Sequence, residues 1–227
     1  MKVIILAGGK GTRLPHSAKN IPKVLVKVAG KSILQHQLDL LKKHGLNDIR
    51  LSLGYMADKI IDYLDGRYEY VIEPKPLGTG GAIKFASKDL KEDFMVLNGD
   101  ILCDIDLSKF IKFHKNVPQT NSLTVWYCRD ARPYGLIDLK RKKVIKFKEK
   151  PQSPTSGYIN AGFYILSPNI FKNIKKTSFS IEKDVFAKLA KNGRLAAFIY
   201  EGYWTDLGTE ERLREAQRKY KVFHDKQ

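Results

Sequence analysis

The sequence contains few cysteines and no long apolar stretch. Its 227 residues include two cysteines, Cys103 and Cys128, without metal-like spacing, and we expect both to be packed thiols in a reducing compartment. No apolar run approaches the roughly 18 residues that cross a bilayer, and the N-terminal apolar run is too short for a signal peptide. The composition therefore predicts a cytoplasmic globular protein that does not act at a membrane.

Acidic residues are scarce relative to basic ones. The 24 Asp and Glu residues stand against 41 Lys and Arg, which gives a formal net charge of +17. Such a surplus can attract nucleic acid, but the sequence has no recognisable nucleic-acid module and no aromatic residues interleaved with the basic runs. A positive field also attracts nucleotides and sugar phosphates. We therefore predict small anionic ligands and no nucleic-acid partner.

Strand and helix patterns alternate along the chain, which is typical of a layered α/β fold. The length is sufficient for one large domain with a substantial core. The patterns predict strands at 1–5, 48–53, 68–72, 94–97, 122–127, 135–139, 144–148, 158–166 and 195–200. They predict helices at 32–43, 57–64, 80–88, 106–114, 168–174, 181–191 and 210–222.

A glycine-rich loop follows the first predicted strand. Residues 6–14 (LAGGKGTRL) contain three glycines, whose backbone N–H groups can approach a phosphate without a Cβ in the way. Arg13 adds a planar guanidinium that suits phosphate oxygens. The loop is not a dinucleotide fingerprint, because Leu14 stands at the third glycine position, and it lacks the Lys-Ser/Thr pair of a Walker A loop. We predict a nucleotide site here, against the alternative of a tight turn.

Three further features lie downstream of this loop. Lys23 can reach back to bound phosphates, or it is one more surface lysine. Residues 76–82 (PLGTGGA) form a second glycine cluster before a helix. Its glycines would let the backbone lie flat against a nucleotide base. The alternative is that they allow the start of the helix to pack tightly on the sheet. Glu73, just upstream, is a candidate acceptor for base N–H groups.

Two aspartates form the candidate metal site. Asp100 follows the apolar strand at 94–97, and the carboxyl end of a buried strand is where an α/β fold places ligands. Asp206, within residues 202–209 (GYWTDLGT), is the candidate partner. Two carboxylates would hold a Mg²⁺ ion that bridges phosphate oxygens, although each aspartate alone is equally consistent with a cap or a turn.

The second half of the chain offers groups for a phosphorylated polyol. Glu149 and Lys150 end a predicted strand, so the Lys150 ammonium can point at a second anion. Gly135, after Tyr134, and Asn160 supply a small residue and an amide that can face hydroxyl groups.

The order of these segments resembles that of the sugar-1-phosphate nucleotidylyltransferases, from residue 1 to about 216. Within that family the sequence is most similar to heptose-1-phosphate and mannose-1-phosphate guanylyltransferases, through residues 77–83 (LGTGGAI) and 180–184 (SIEKD). N-acetylmuramate-1-phosphate uridylyltransferases have a C-terminal sequence similar to residues 204–213. The base is therefore open between guanine and uracil or thymine.

The resemblance implies a three-layer α/β/α Rossmann-like sandwich around a mixed, mostly parallel sheet. It implies a single domain, 1–227, whose halves of about 1–115 and 116–227 bind the nucleotide and the sugar phosphate. The expected reaction transfers a nucleoside monophosphate from an NTP, preferably GTP, to a sugar 1-phosphate with Mg²⁺, and pyrophosphate leaves. The resemblance leaves the protein as a monomer or small homo-oligomer. The implied site residues are Arg13 and Lys23 for catalysis; Leu6, Gly8, Gly9, Gly11, Thr12, Glu73, Gly78 and Thr79 for the nucleotide; Gly135, Glu149, Lys150 and Asn160 for the sugar phosphate; and Asp100 and Asp206 for the metal.

Two other classes of protein remain open at this point. A non-catalytic nucleotide- or sugar-sensing domain of the same fold typically lacks the metal carboxylates or the loop arginine, and this sequence has both. A molybdopterin-type nucleotidyltransferase shares a similar glycine-rich opening, but it does not need the sugar-facing motifs that begin at Gly135.

Overall fold

The computed structural model describes residues 1–11, 20–148 and 150–224, with side chains described through residue 219. Its strands are β1 (Val3–Ala7), β2 (Lys27–Val28), β3 (Lys31–Ser32), β4 (Ile49–Leu53), β5 (Glu69–Ile72), β6 (Phe94–Asn98), β7 (Ile101–Cys103), β8 (Ser122–Cys128), β9 (Leu136–Lys140), β10 (Lys143–Lys148), β11 (Gly157–Leu166), β12 (Ala196–Tyr200) and β13 (Trp204–Asp206). Its α-helices are α1 (Ile33–Lys43), α2 (Ala57–Leu64), α3 (Gly78–Ala86), α4 (Leu107–Lys115), α5 (Ala187–Lys191) and α6 (Glu210–His224). Short 3₁₀ turns lie at Lys23–Leu25 and Pro168–Phe171, and a π-helical stretch at Ile181–Phe186 leads into α5.

The main sheet is mixed, as predicted, with the order β5-β4-β1-β6-β11-β8-β12-β10-β9. The strands β5, β4, β1 and β6 run parallel, and β8 is parallel to β12. The pairings of β11 with β6, β8 and β9, and of β10 with β12 and β9, are antiparallel. The sheet has a larger antiparallel part than expected, because β8, β9, β10 and β11 follow one another without a helix between them, and parallel neighbours need a long crossover connection.

Helices cover both faces of this sheet, which confirms the three-layer sandwich. Alternate residues of β1 point to opposite faces, so Ile5 packs in the core beneath α1, α2 and α4, whereas Ile4 packs in the core beneath α3 and α5. A third, smaller core joins α6 to β2 and to the two-stranded sheet of β7 and β13. None of the helices in the described ranges is both long and apolar enough to cross a membrane.

Local sequence signals explain most helix boundaries. The Ser32 hydroxyl accepts from the Gln35 N–H at 3.0 Å and starts α1, and the Asp106 carboxylate accepts from the Lys109 N–H at 2.9 Å and starts α4. The predicted bounds of α2 are confirmed. The helix predicted at 168–174 is wrong in extent, because only Pro168–Phe171 forms a 3₁₀ turn.

Candidate active site

The loops that follow β1 and β6 meet at the point where the strand order reverses. The chain runs from β1 outward to β4 and β5 and then returns to β6 on the other side of β1; such a reversal opens a crevice at the carboxyl ends of the strands. The Gly99 N–H donates to the Leu6 carbonyl oxygen at 3.0 Å, and a Cβ at Gly99 would collide with that oxygen. Glycine at 99 therefore lets the two loops touch.

A cleft of about 700 Å³ opens above this junction. The residues that line it include all the predicted nucleotide-binding residues that the structure describes, namely Leu6, Gly8, Gly9, Gly11, Glu73, Gly78 and Thr79. Lys23 and Asp100 line it as well. Thr12 and Arg13 lie outside the described residues. The sequence-based reasoning did not include Lys10, Tyr55, Lys75 or Asn98, which also line the cleft.

Glu73 places a half-buried carboxylate on the wall of the cleft. It accepts from the Leu77 N–H at 3.2 Å and from the Ser52 hydroxyl at 3.3 Å. A Cβ at Gly8 would lie 2.6 Å from its Oε1 atom, so glycine at this position lets the carboxylate rest against the β1 loop. Burial raises the pKa of Glu73 above its ordinary value of 4.5, because a low-dielectric environment penalises the charged form.

The second glycine cluster divides between two roles. Gly78 and Thr79 line the cleft, and Gly78 has a φ of +69°, which favours glycine. Gly80 and Gly81 instead pack against residues 177–181, because a Cβ on either glycine would collide with that segment. These two glycines therefore allow tight packing of the helix entry, but against residues 177–181 and not on the sheet.

Lys23 and Asp100 form an ion pair at the junction of the loops. Gln37, buried on α1, fixes the turn that carries Asp100: its Nε2 atom donates to the carbonyl oxygens of Asn98 and Ile101, each at 2.9 Å. The two acceptors bracket Gly99 and Asp100, so one side chain holds both ends of the turn. Lys23 therefore neutralises the carboxylate that Gln37 helps to position.

Replacing Gln37 with methionine should lower the free energy of unfolding by about 1–3 kcal/mol, because buried carbonyl oxygens of Asn98 and Ile101 lose their donor. Urea denaturation measures this loss. Gln35→Met, on the same helix, is the matched control, since Gln35 is partly exposed and water can replace its hydrogen bonds. Equal stabilities of the two variants would show that the Gln37 contacts do not hold the Asp100 turn.

Asp206 lies next to Asp100 through its backbone. It pairs with Ile101 between β13 and β7, and the Leu207 N–H donates to the Asp100 carbonyl oxygen at 2.9 Å. Its buried carboxylate accepts from Arg212 at 2.6 and 2.7 Å, from the Gly208 N–H at 2.8 Å, and from the Tyr134 hydroxyl.

The two carboxylates fit a hard divalent cation chemically, because Mg²⁺ prefers oxygen ligands. Within residues 1–11, 20–148 and 150–224, no group of three or more His, Cys, Asp or Glu side chains could hold an ion. A Mg²⁺ ion at this pair would therefore complete its ligands with water or phosphate oxygens. Asp100 borders the cleft, whereas Asp206 could join it only by loosening its contacts with Arg212 or Tyr134.

Of the predicted sugar-phosphate residues, Gly135 directly precedes β9, Lys150 follows β10 and Asn160 lies on β11. The pairing of Leu136 with Ile159 sets Gly135 and Asn160 next to each other, and a Cβ at Gly135 would lie 3.0 Å from the Lys148 carbonyl oxygen. Lys150 is exposed. Glu149 lies outside the described residues.

Asn160 is fully engaged inside the protein. Its Nδ2 atom donates to the Tyr164 hydroxyl oxygen and to the Glu182 Oε1 atom, both at 2.8 Å, and its Oδ1 atom accepts from the Gly162 N–H at 3.0 Å. Both amide protons are therefore used before any ligand binds.

The chain belongs to the nucleotidyl transferase family, whose pattern it matches over residues 2–222. It is 35% identical over 220 residues to the mannose-1-phosphate guanylyltransferase catalytic subunit beta of Xenopus tropicalis, covering 92% of this chain and 61% of the relative. It is 36% identical to the protein of the same name from Dictyostelium discoideum, with the same coverage. The chain thus spans about three fifths of the length of the curated relatives that it matches.

Two solved structures match this chain over nearly their whole length. HddC from Yersinia pseudotuberculosis, complexed with GMP-PN, superposes with a TM-score of 0.83 at 36% identity, covering 96% of this chain and 99% of that one. A putative glucose-1-phosphate thymidylyltransferase from Bacillus anthracis superposes with a TM-score of 0.85 at 24% identity, covering 96% of this chain and 94% of that one. That second likeness supports the fold alone.

Proposed function

We propose that this protein transfers GMP from GTP to a sugar 1-phosphate, giving a GDP-sugar and pyrophosphate. Mannose 1-phosphate or D-glycero-D-manno-heptose 1-phosphate is the expected acceptor. The observation that carries the proposal is the cleft at the strand-order reversal, where the glycine loop, Glu73, Lys23 and Asp100 meet. Family membership and the names of the guanylyltransferase relatives support the same reaction class.

The carboxylate of Glu73 favours guanine over the other bases. Guanine presents two adjacent donors, N1–H and the exocyclic amino group, and one carboxylate can accept from both. Uracil and thymine present a single N–H between two carbonyl oxygens, which a carboxylate would repel. The complex of HddC with GMP-PN is consistent with a guanine nucleotide. Uridylyl or thymidylyl transfer is the alternative that this argument disfavours.

The reaction needs no nucleophile from the protein, because the attacking group is already an anion. A phosphate oxygen of the sugar 1-phosphate bonds to the α-phosphorus of GTP, the bond from that phosphorus to the bridging oxygen breaks, and pyrophosphate leaves. The backbone N–H groups of the glycine loop, Lys23 and Arg13 would position the phosphates and offset their charge. Mg²⁺ bound near Asp100 and Asp206 would supply further charge neutralisation.

The remaining roles complete the proposal. Residues 1–115 would bind GTP and residues 116–227 the sugar phosphate, within one continuous domain. Gly135, Glu149, Lys150 and Asn160 would lie around the sugar phosphate. We place the enzyme in the cytoplasm, where its precursors are made and where Cys103 and Cys128 stay reduced.

The test is pyrophosphate release across four NTPs and several sugar 1-phosphates, with and without Mg²⁺. We expect turnover with GTP and a manno-configured sugar 1-phosphate, dependent on a divalent ion. Turnover with UTP or TTP in preference to GTP would overturn the assignment of the base. Specific binding of a nucleotide or sugar phosphate without turnover under any combination would favour a sensing domain.

The raised pKa of Glu73 gives a prediction for pH dependence. Only the ionised carboxylate can accept from both guanine donors, so kcat/KM for GTP should fall as the pH drops through the raised pKa, above 4.5. The profile of kcat/KM against pH measures this acid limb. The fall of kcat/KM at low pH should be absent in Glu73→Gln. An unchanged fall in that variant would show that another group titrates.

A further inference from the structure

One sequence motif has no role in the proposed reaction. Residues 180–184 (SIEKD) begin the helical stretch Ile181–Phe186. Ser180 and Asp184 are explained by this helix start: the Ser180 hydroxyl accepts from the Lys183 N–H at 3.2 Å, and Asp184 accepts from the Ser180 N–H at 3.0 Å. Ile181 is buried in the core. Glu182 takes no part in either cap.

The Glu182 carboxylate can accept more hydrogen bonds than the described residues donate to it. Its Oε1 atom accepts from Asn160 at 2.8 Å, and the described part of the chain gives the carboxylate no ion pair. A carboxylate offers about four lone-pair positions on its two oxygens. The side chain is neither fully buried nor fully exposed. Glu182 is therefore a fixed acceptor that a ligand can still use.

Hydrogen bonds connect Glu182 to the floor of the cleft. Asn160 donates to the Tyr164 hydroxyl oxygen at 2.8 Å, and Asn98, which lines the cleft, donates to the same oxygen at 3.3 Å. Burial raises the pKa of Tyr164, and the nearby charges of Glu182 and Asp100 raise it further. Glu182 and Asp100 thus both lie near one buried phenol.

The same segment also contacts the nucleotide loop. The Thr79 hydroxyl accepts from the Ile181 N–H at 3.0 Å, and the Phe179 N–H donates to the Leu77 carbonyl oxygen at 2.9 Å. These bonds fix the residues just before Glu182 against the loop that carries Gly78 and Thr79. The position of Glu182 is therefore fixed by its own bond to Asn160 and by the bonds that attach the preceding residues to the loop of Gly78 and Thr79.

We propose that Glu182 is a specificity-determining residue that accepts a hydrogen bond from a hydroxyl group of the sugar 1-phosphate. This inference rests on the proposed function. Asn160 has no amide proton left for a ligand, so its role is to orient Glu182. The second oxygen of Glu182, which accepts no hydrogen bond from the described residues, contacts the sugar. A site built to bond a particular hydroxyl rejects the analogue that lacks it, because the protein acceptor is then left unpaired.

The test compares Glu182→Gln with wild type on mannose 1-phosphate and its single-deoxy analogues. Glutamine keeps an oxygen for the Asn160 bond but replaces the free oxygen with an NH₂ group, which cannot accept. We expect KM for mannose 1-phosphate to rise about 10- to 100-fold, the effect of losing one hydrogen bond to a charged group. KM for GTP should stay unchanged. Asp184→Asn, on the same helix, should leave both KM values near wild type.

The deoxy analogues separate direct contact from indirect positioning. For the analogue that lacks the partner hydroxyl, the KM ratio of Glu182→Gln to wild type should fall close to one. An equal ratio for every analogue, or an unchanged KM for mannose 1-phosphate, would overturn the inference. Absence of wild-type turnover with any sugar 1-phosphate would instead reject the proposed function, so the two failures are distinguishable.

Discussion

Replacing Lys23 with methionine should lower kcat about 10²–10³-fold, the usual effect of removing one donor that stabilises developing charge. Lys23 borders the cleft and pairs with Asp100 at the junction of the two loops. Methionine retains most of the side-chain volume but carries no charge. Because the lysine is proposed to act on the phosphates as the bond to pyrophosphate breaks, kcat should fall more than KM rises. Steady-state kinetics with GTP and mannose 1-phosphate measures both.

Lys27→Met is the matched control, since Lys27 is an exposed lysine on the nearby β2 strand. It should leave kcat near wild type, and thermal denaturation of both variants checks that each is folded. A second cation, Arg13, is proposed to act on the same phosphates, so Arg13→Ala should lower turnover by a similar factor. A folded Lys23→Met enzyme with near-wild-type turnover would remove this lysine from the catalytic machinery.

Replacing Glu73 with glutamine should change the preference for the base. The amide oxygen can accept one guanine N–H, but its NH₂ group then faces the second donor. The loss of one charge-assisted hydrogen bond, about 1.5–3 kcal/mol, lowers kcat/KM for GTP about 10- to 100-fold. The same amide can pair with the N–H and carbonyl of uracil, so the ratio of GTP to UTP activity should fall further.

Glu69→Gln is the control for this change, because Glu69 begins β5, the strand that Glu73 directly follows, but pairs with Arg50 and Lys2. Its activity ratio for GTP and UTP should match that of wild type. A Glu73→Gln variant that keeps the wild-type ratio would show that another group reads the base.

The sequence predicted the layered fold because its strands are short apolar runs and its helices carry local caps. The starts of α1 and α4 follow from Ser32 and Asp106, which lie directly before the helices they cap. The small sheet of β7 and β13 was not predicted, because strands of three residues have too little periodicity to be recognised. The antiparallel pairing of β11 with β6 joins strands that are distant in sequence, so the local pattern does not indicate it.

The described residues that were predicted to bind the nucleotide line one cleft, because they lie at strand ends or at the start of a helix, and such ends meet at one edge of the sheet. The supporting residues were missed because their contacts are distant in sequence. Gln37 binds residues 61 and 64 positions away, and Glu182 binds Asn160 across 22 positions. Arg212, on the first turns of a charged helix, gives no local signal that its partner is Asp206.

The proposed reaction is direct transfer between two bound anions, without a nucleophile from the protein. The most direct measurement is exchange of labelled pyrophosphate into GTP, with and without the sugar 1-phosphate or its product. Direct transfer predicts no exchange with GTP and pyrophosphate alone, and exchange once the GDP-sugar is supplied. Label entering GTP without any sugar compound would reveal a covalent guanylyl-enzyme and contradict the account.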